Sequence, residues 1–326
     1  MSTYKEIRGL KVRDYTTNPD NPIEGQLWYN TTDNVARYRI PNKTAAWRSG
    51  PSINTARSGL GSSAGTRDSA LIAGGEPFTG DTEEYNGTSW TEVNNLNTAR
   101  RNAATVGTNT EAALCFAGNT PPNTSVAINE TWNGSSWTEV ADLGTAGRHR
   151  IGSGTNTAAI CFGGGVPGGT PQLANTETWN GSSWTEVADL NTAKYYGSGT
   201  PYGTTTATLA FGGEPTLAAT ELWNGSAWTE VNDLNSGRRL LMGSGISTSG
   251  LAFGGYDTAV RAYTESWDGT SWTETGDLSQ ARYEGGGAGA SNASAICMGG
   301  YNTTALANTE EWDSARNVGA WTSANT

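Results

Sequence analysis

Seven tryptophans, Trp47, Trp90, Trp137, Trp184, Trp228, Trp272 and Trp321, recur 43 to 49 residues apart, and this period constrains the fold more than any other feature of the chain. Five of them sit in nearly the same words, running from a Gly through Trp-Thr-Glu to a Leu and then a Thr-Ala-Arg-like element: Gly87 to Arg100, Gly134 to Arg148, Gly181 to Lys194, Gly225 to Arg238 and Gly269 to Arg282. Self-similarity at a period in the forties means one supersecondary unit, repeated, with a core assembled from neighbours.

Each unit carries four strand signals. A Gly/Ser-rich stretch such as Ile151 to Thr155 or Met242 to Ser247 comes first, where small side chains allow close backbone approach. A short apolar run ending in two small residues follows: Leu71 to Gly75, Leu114 to Gly118, Ile160 to Gly164, Leu209 to Gly213, Leu251 to Gly255 and Ile296 to Gly300. Such a run reads as a strand buried on both faces. The third strand is Thr-Glu-x-aromatic or close to it, with Glu83, Glu130, Glu177, Glu221, Glu265 and Glu310 sharing a face with Tyr85, Trp132, Trp179, Trp223, Trp267 and Trp312. Asn-Gly or Asp-Gly then turns the chain into a fourth strand, except in the last unit, where Asp313 to Gly319 stands in its place.

Composition agrees. The 326 residues include 44 Gly and 13 Trp, yet only 35% are hydrophobic, so an all-β chain with few large side chains between tight backbones is expected. A net charge of -11 argues against nucleic acid and anionic membranes as partners. There is no 18-residue apolar run and no apolar stretch near Met1 for a signal peptide, so neither membrane insertion nor conventional secretion is expected.

Thr-Ala-Arg, a strand ending Gly-Gly, and an aromatic followed shortly by Trp, six times over, resemble the Kelch-type β-propeller across residues 44 to 326. Ala117-Gly118 and the short aromatic-to-Trp gap depart from that pattern. The resemblance implies a closed ring of four-stranded blades. Six complete units follow Arg57, but seven Trp-bearing outer strands exist. With Trp321 taken to complete the sixth unit, the strand at Trp47 needs another sheet, which favours seven blades with a degenerate first one built within residues 1 to 50; six blades, with Trp47 shared between the chain ends, is the alternative.

Repeated residues read as scaffold. Arg57, Arg100, Arg148, Lys194, Arg238 and Arg282 are expected to meet the third-strand Glu residues and brace blades, a basic ring for an anionic ligand being the competing reading. Trp90, Trp137, Trp184, Trp228, Trp272 and Trp321 mark the outer strands. Cys115, Cys161 and Cys297 share one second-strand slot on separate blades, as small packing residues without disulfides. Asn86, Asn133, Asn180 and Asn224, although in glycosylation sequons, are turn residues.

Variation points to binding. The loops between second and third strands differ in length and chemistry, and share a face with the Thr-Ala-Arg turns; Phe78, Pro121, Leu173, Leu217, Tyr256, Arg261 and Tyr301 are the candidate contact residues. The single His149 removes most zinc and copper chemistry, a galactose-oxidase-like centre included, and no cofactor or metal is expected. The turn Ser266 to Trp272 is similar to a sialidase Asp-box but too short, and that motif is structural in any case. Most acids sit in repeated positions, whereas a glycosidase needs one asymmetric pair. The chain reads as non-enzymatic.

Residues 1 to 43 form a separate N-terminal segment. Its Gly25-Gln-Leu-Trp28-Tyr-Asn30 resembles the N-terminal element of tail-associated and other structural proteins of phages, especially marine ones, in which Gly-Gln-x-Trp-Tyr-Asn commonly precedes Kelch-like repeats of the Ser-Trp-Thr-Glu-Val type. The resemblance implies a virion component, a tail fibre, spike or tail-associated protein. It would be synthesised in the host cytoplasm, attached to other tail or capsid proteins through the N-terminal segment or one face, and able to present its loops to a host surface glycan or protein. An intracellular Kelch-type scaffold recruiting a partner protein is the alternative, and a carbohydrate-active propeller enzyme ranks third.

Overall fold

A computed structural model describes residues 13–16, 27–32, 34–38, 41–166, 171–319 and 322–323. Among them there is no helix. The chain divides into two compact units, residues 46–313 and residues 1–45 with 314–326.

The larger unit is a six-bladed β-propeller. The first blade runs Ala64–Thr66, Ser69–Ala73, Thr82–Tyr85 and Trp90–Val93, each strand antiparallel to the next. Four more blades repeat this order, starting at Ala104, Ile151, Ser198 and Met242. The second blade's loop adds a two-stranded hairpin, Asn119–Thr120 with Thr124–Ser125.

The sixth blade departs from the rule and settles the blade count. Gly286–Ser291, Ser294–Met298 and Thr309–Gly319 are followed, at the outer edge, by Pro41–Gly50 from the other end of the chain. Trp47 therefore belongs to the sixth blade, and the favoured reading of seven blades gives way to six. The cause lies in the missing turn: without Asn-Gly after Trp312, the third strand continues straight to Gly319 instead of folding back. Its open edge is covered by the N-terminal strand. Trp321 lies outside the described residues. Leu27–Asn30 and Val35–Tyr38 are strands that pair with each other and with Arg13–Tyr15 and Thr322–Ser323 in a sheet of the smaller unit.

Small residues let the inner strands crowd together. A Cβ added to Gly243 would lie 2.1 Å from the Gly199 carbonyl oxygen of the neighbouring blade, closer than any side chain tolerates. Further out, second-strand residues such as Leu114, Ile160, Leu209 and Leu251 are completely buried, and aromatics fill the gaps between sheets.

Tryptophan also staples blade to blade. Nε1 of the outer-strand Trp donates to the threonine that opens the preceding blade's third strand: Trp137 to Thr82 at 3.1 Å, Trp228 to Thr176 at 3.0 Å, Trp272 to Thr220 at 3.1 Å and Trp47 to Thr264 at 2.9 Å. At the closure, the Pro51 carbonyl accepts from both Trp90 Nε1 and Thr309 Oγ1. Among the described residues, the second-to-third blade junction alone has neither the direct bond nor a shared acceptor. Asn129 replaces the threonine there, and its Oδ1 and Trp184 Nε1 are both buried without partners.

Candidate functional site: an asymmetric mouth on the central channel

The connection from each outer strand to the next inner strand begins at Ile53, Leu96, Leu143, Leu190, Leu234 or Leu278 and can be followed residue by residue. Four positions later come Arg57, Arg100, Gly147, Lys194, Arg238 and Arg282. The five cations are fully buried and meet carboxylates: Arg57 with Glu83 at 3.0 Å, Arg100 with Glu130 at 2.5 Å, Lys194 with Glu221 at 3.5 Å, Arg238 with Glu265 at 2.5 Å and Arg282 with Glu310 at 2.7 Å. The same carboxylates accept backbone N–H groups of the connection, such as those of Asn97, Asn191 and Asn235, fastening one blade's exit to the next blade. Burial lowers the pKa of Arg57 and Lys194, and the facing Glu83 and Glu221 oppose it.

The third unit corrects the expectation for Arg148. Counting from Leu143 puts Gly147 in the cation slot, and Arg150, three residues on, reaches back to fill it. Its Nη2 lies 3.5 Å from Glu177, its Nη1 donates to Gly163 O and Asn175 Oδ1, and its Nε donates to Cys161 Sγ at 3.1 Å. Arg148 stands one position beyond the slot, with Arg101, Tyr195, Arg239, Tyr283 and Ser58 in the other connections, and belongs to the loop face. All three cysteines are buried free thiols.

The loops between second and third strands share this face, each clamped at one residue. Thr79, Val126, Leu173, Leu217, Arg261 and Leu306 donate their N–H to the second residue of the Gly-Gly or Ala-Gly pair and accept an N–H from the cation-slot residue. Three of the expected contact residues, Leu173, Leu217 and Arg261, are therefore positioned by the clamp; Arg261 also pairs with Asp257 at 2.8 Å. Pro121 is exposed at the tip of the added hairpin. Phe78 lies beneath the Arg101 guanidinium, 4.5 Å from centroid to Cζ, and Tyr256 lies similarly under Arg239 at 5.3 Å. Tyr301 is 5.5 Å from Tyr283, which in turn is 6.0 Å from Tyr256. Phe78, Tyr256 and Tyr301 thus join the tier that contains Arg148, while the clamp residues do not.

Six positions after the opening Ile or Leu, the chain reaches the channel. Gly59, Asn102, His149, Tyr196, Leu240 and Glu284 all have left-handed backbones, with φ between 50° and 61°. N–H groups at this level link neighbouring blades around the axis: Asn102 to Gly59, His149 to Asn102, Leu240 to Tyr196, Glu284 to Leu240, and Leu60 to Glu284. Together with Glu76, Arg101 and Arg148, all of these except Leu240 line a cavity of about 120 Å³, with a narrower space of about 50 Å³ among residues including Leu60, Ile151, Leu241 and Met242.

The electrostatics are uneven around the rim. Arg101 pairs with Glu76. Arg148 donates Nη1 to Asn123 Oδ1 at 3.0 Å, but its Nε is buried without a partner. The Glu284 pKa is raised by burial, against the pull of Arg101. Burial, with Arg148 and Arg101 nearby, pushes His149 down to about 3, so the imidazole is neutral at physiological pH. His149 packs edge-on against Tyr196 at 4.5 Å, and Tyr196 stacks on Tyr195 at 3.7 Å. Glu76, Arg101, Asn102, Tyr196 and Glu284 were not signalled by the repeat, although counting from the opening Leu leads to all of them but Glu76, which directly follows the Gly74-Gly75 pair.

Fold and site together define the class: a six-bladed β-propeller with an asymmetric polar mouth. No protein-family model matches the chain, and no curated protein matches it. Among solved structures it is similar to one described as the structure of YjhT, with a TM-score of 0.68 and 14% identity, covering 85% of this chain and 99% of that one. That likeness concerns the fold.

Proposed function

We propose that the protein is a non-enzymatic structural component of a phage virion, a Kelch-like propeller presented by a tail fibre, spike or other tail-associated assembly. The observation that carries this reading is the pairing of Gly-Gln-Leu-Trp-Tyr-Asn, whose Leu27–Asn30 forms a strand in the smaller unit, with a propeller that holds loops of differing chemistry on clamped backbones. Such a division suits attachment by one part and recognition by the other, and many copies on a particle would turn weak contacts into avidity. The partners would be tail or capsid proteins and, at the loop face, a host surface glycan or protein.

Purified particles provide the test. Labelled antibody against the propeller should decorate intact particles at a distal, exposed position. Absence of the chain from purified particles, with all of it left in the lysate, would overturn the proposal.

A further inference from the structure

The channel-mouth tier differs from the two repeated third-strand tiers. Third-strand slots hold Glu six times and Trp five times, as expected of a scaffold. At the channel mouth the six backbones are alike, yet six different side chains occupy them. A left-handed backbone favours Gly and Asn, and only Gly59 and Asn102 conform. His149, Tyr196, Leu240 and Glu284 hold that conformation against a local steric penalty, a pattern that concentrates where side chains must face a ligand.

The chemistry narrows the ligand. Arg148 lines the cavity with a guanidinium that donates to Asn123 Oδ1 and lies 5.7 Å from the Tyr195 ring centroid, a planar cation suited to a carboxylate. Asn102, neutral His149, Tyr196 and the Glu284 carboxyl group line the same cavity and together supply hydrogen-bond donors and acceptors, as hydroxyls require. The stacked Tyr195 and Tyr196 add an apolar ring surface.

We propose that the channel mouth binds one acidic sugar unit, with its carboxylate on Arg148 and its hydroxyls on Glu284, His149 and Tyr196. This rests on reading the propeller as a surface-binding module and names the ligand class for its loop face.

The test uses the purified full chain and the monosaccharides galacturonate and glucuronate, followed through the ring signals of His149, the chain's single histidine. At least one uronate should shift these signals saturably, while galactose, glucose and acetate leave them in place. Arg148→Gln and, independently, Glu284→Leu should each weaken binding by roughly tenfold or more at unchanged melting temperature. No shift with either uronate would overturn the assignment, as would an equal response to galactose or to acetate, or undiminished binding in both variants. Binding by a chain that is absent from particles would sink only the virion reading; a chain on particles that ignores uronates would sink only this site.

Discussion

His149 shows how much a residue can owe to its position. Its pKa of about 3 lies below the usual value near 6.5, because the imidazole would be charged in an enclosed site beside two arginines. On acidification the unfolded chain takes up this proton first. The contribution to stability is therefore complete above about pH 6.5 and is lost progressively as pH falls towards 3. We expect the His149 ring to remain neutral in an NMR titration from pH 7 to 4.5, and His149→Asn to flatten the fall in melting temperature over that range. Asn129 offers a gain. Substituting Thr should restore the staple to Trp184 and raise stability by about 0.5–1.5 kcal/mol in denaturant unfolding; no gain would show that the other junctions owe nothing to this bond.

Strands, hairpins and the cation–carboxylate ties were legible at the level of the element, since periodicity and Asn-Gly turns act locally. The ring closure was less so: the absent turn after Trp312 was visible, but the repeat at Trp321 suggested an outer strand that the straight run to Gly319 does not require. The channel mouth was hidden for another reason. Left-handed backbones leave a mark in sequence only where Gly or Asn fills them, and four of six positions carry neither. The shift from Arg148 to Arg150 similarly depends on reach within a packed interior. It makes a direct comparison possible. Arg100→Met and Arg150→Met, each leaving a buried glutamate facing an apolar side chain, should cost about 3–5 kcal/mol. Arg148→Met should change stability by less than about 1 kcal/mol, a value typical of a partly exposed pair. Equal losses in all three would place Arg148 back among the braces.

As a whole molecule, the propeller depends on one strand from far away in sequence. Removing residues 1–40 should leave its cooperative unfolding transition in place, whereas removal through Gly50 takes away Trp47, its bond to Thr264 and the cover of the Thr309–Gly319 edge. The longer deletion should abolish that transition or lower its midpoint by at least several degrees in calorimetry, the scale that a few kcal/mol imposes on a domain of this size. Equal transitions for both truncated chains would show that the ring holds without its sixth outer strand.

The same closure imposes a waiting time. Pro41–Gly50 leaves the ribosome early, but its partner strand follows some 260 residues later, an interval on the order of 13 to 50 seconds at ordinary rates of synthesis. Five blades can form within that interval, each made from contiguous chain, while this strand has no edge of its own to join. Ring completion is thus the last step in building the propeller, timed by the ribosome, and the first-made of the propeller's own strands is the one that must stay available longest.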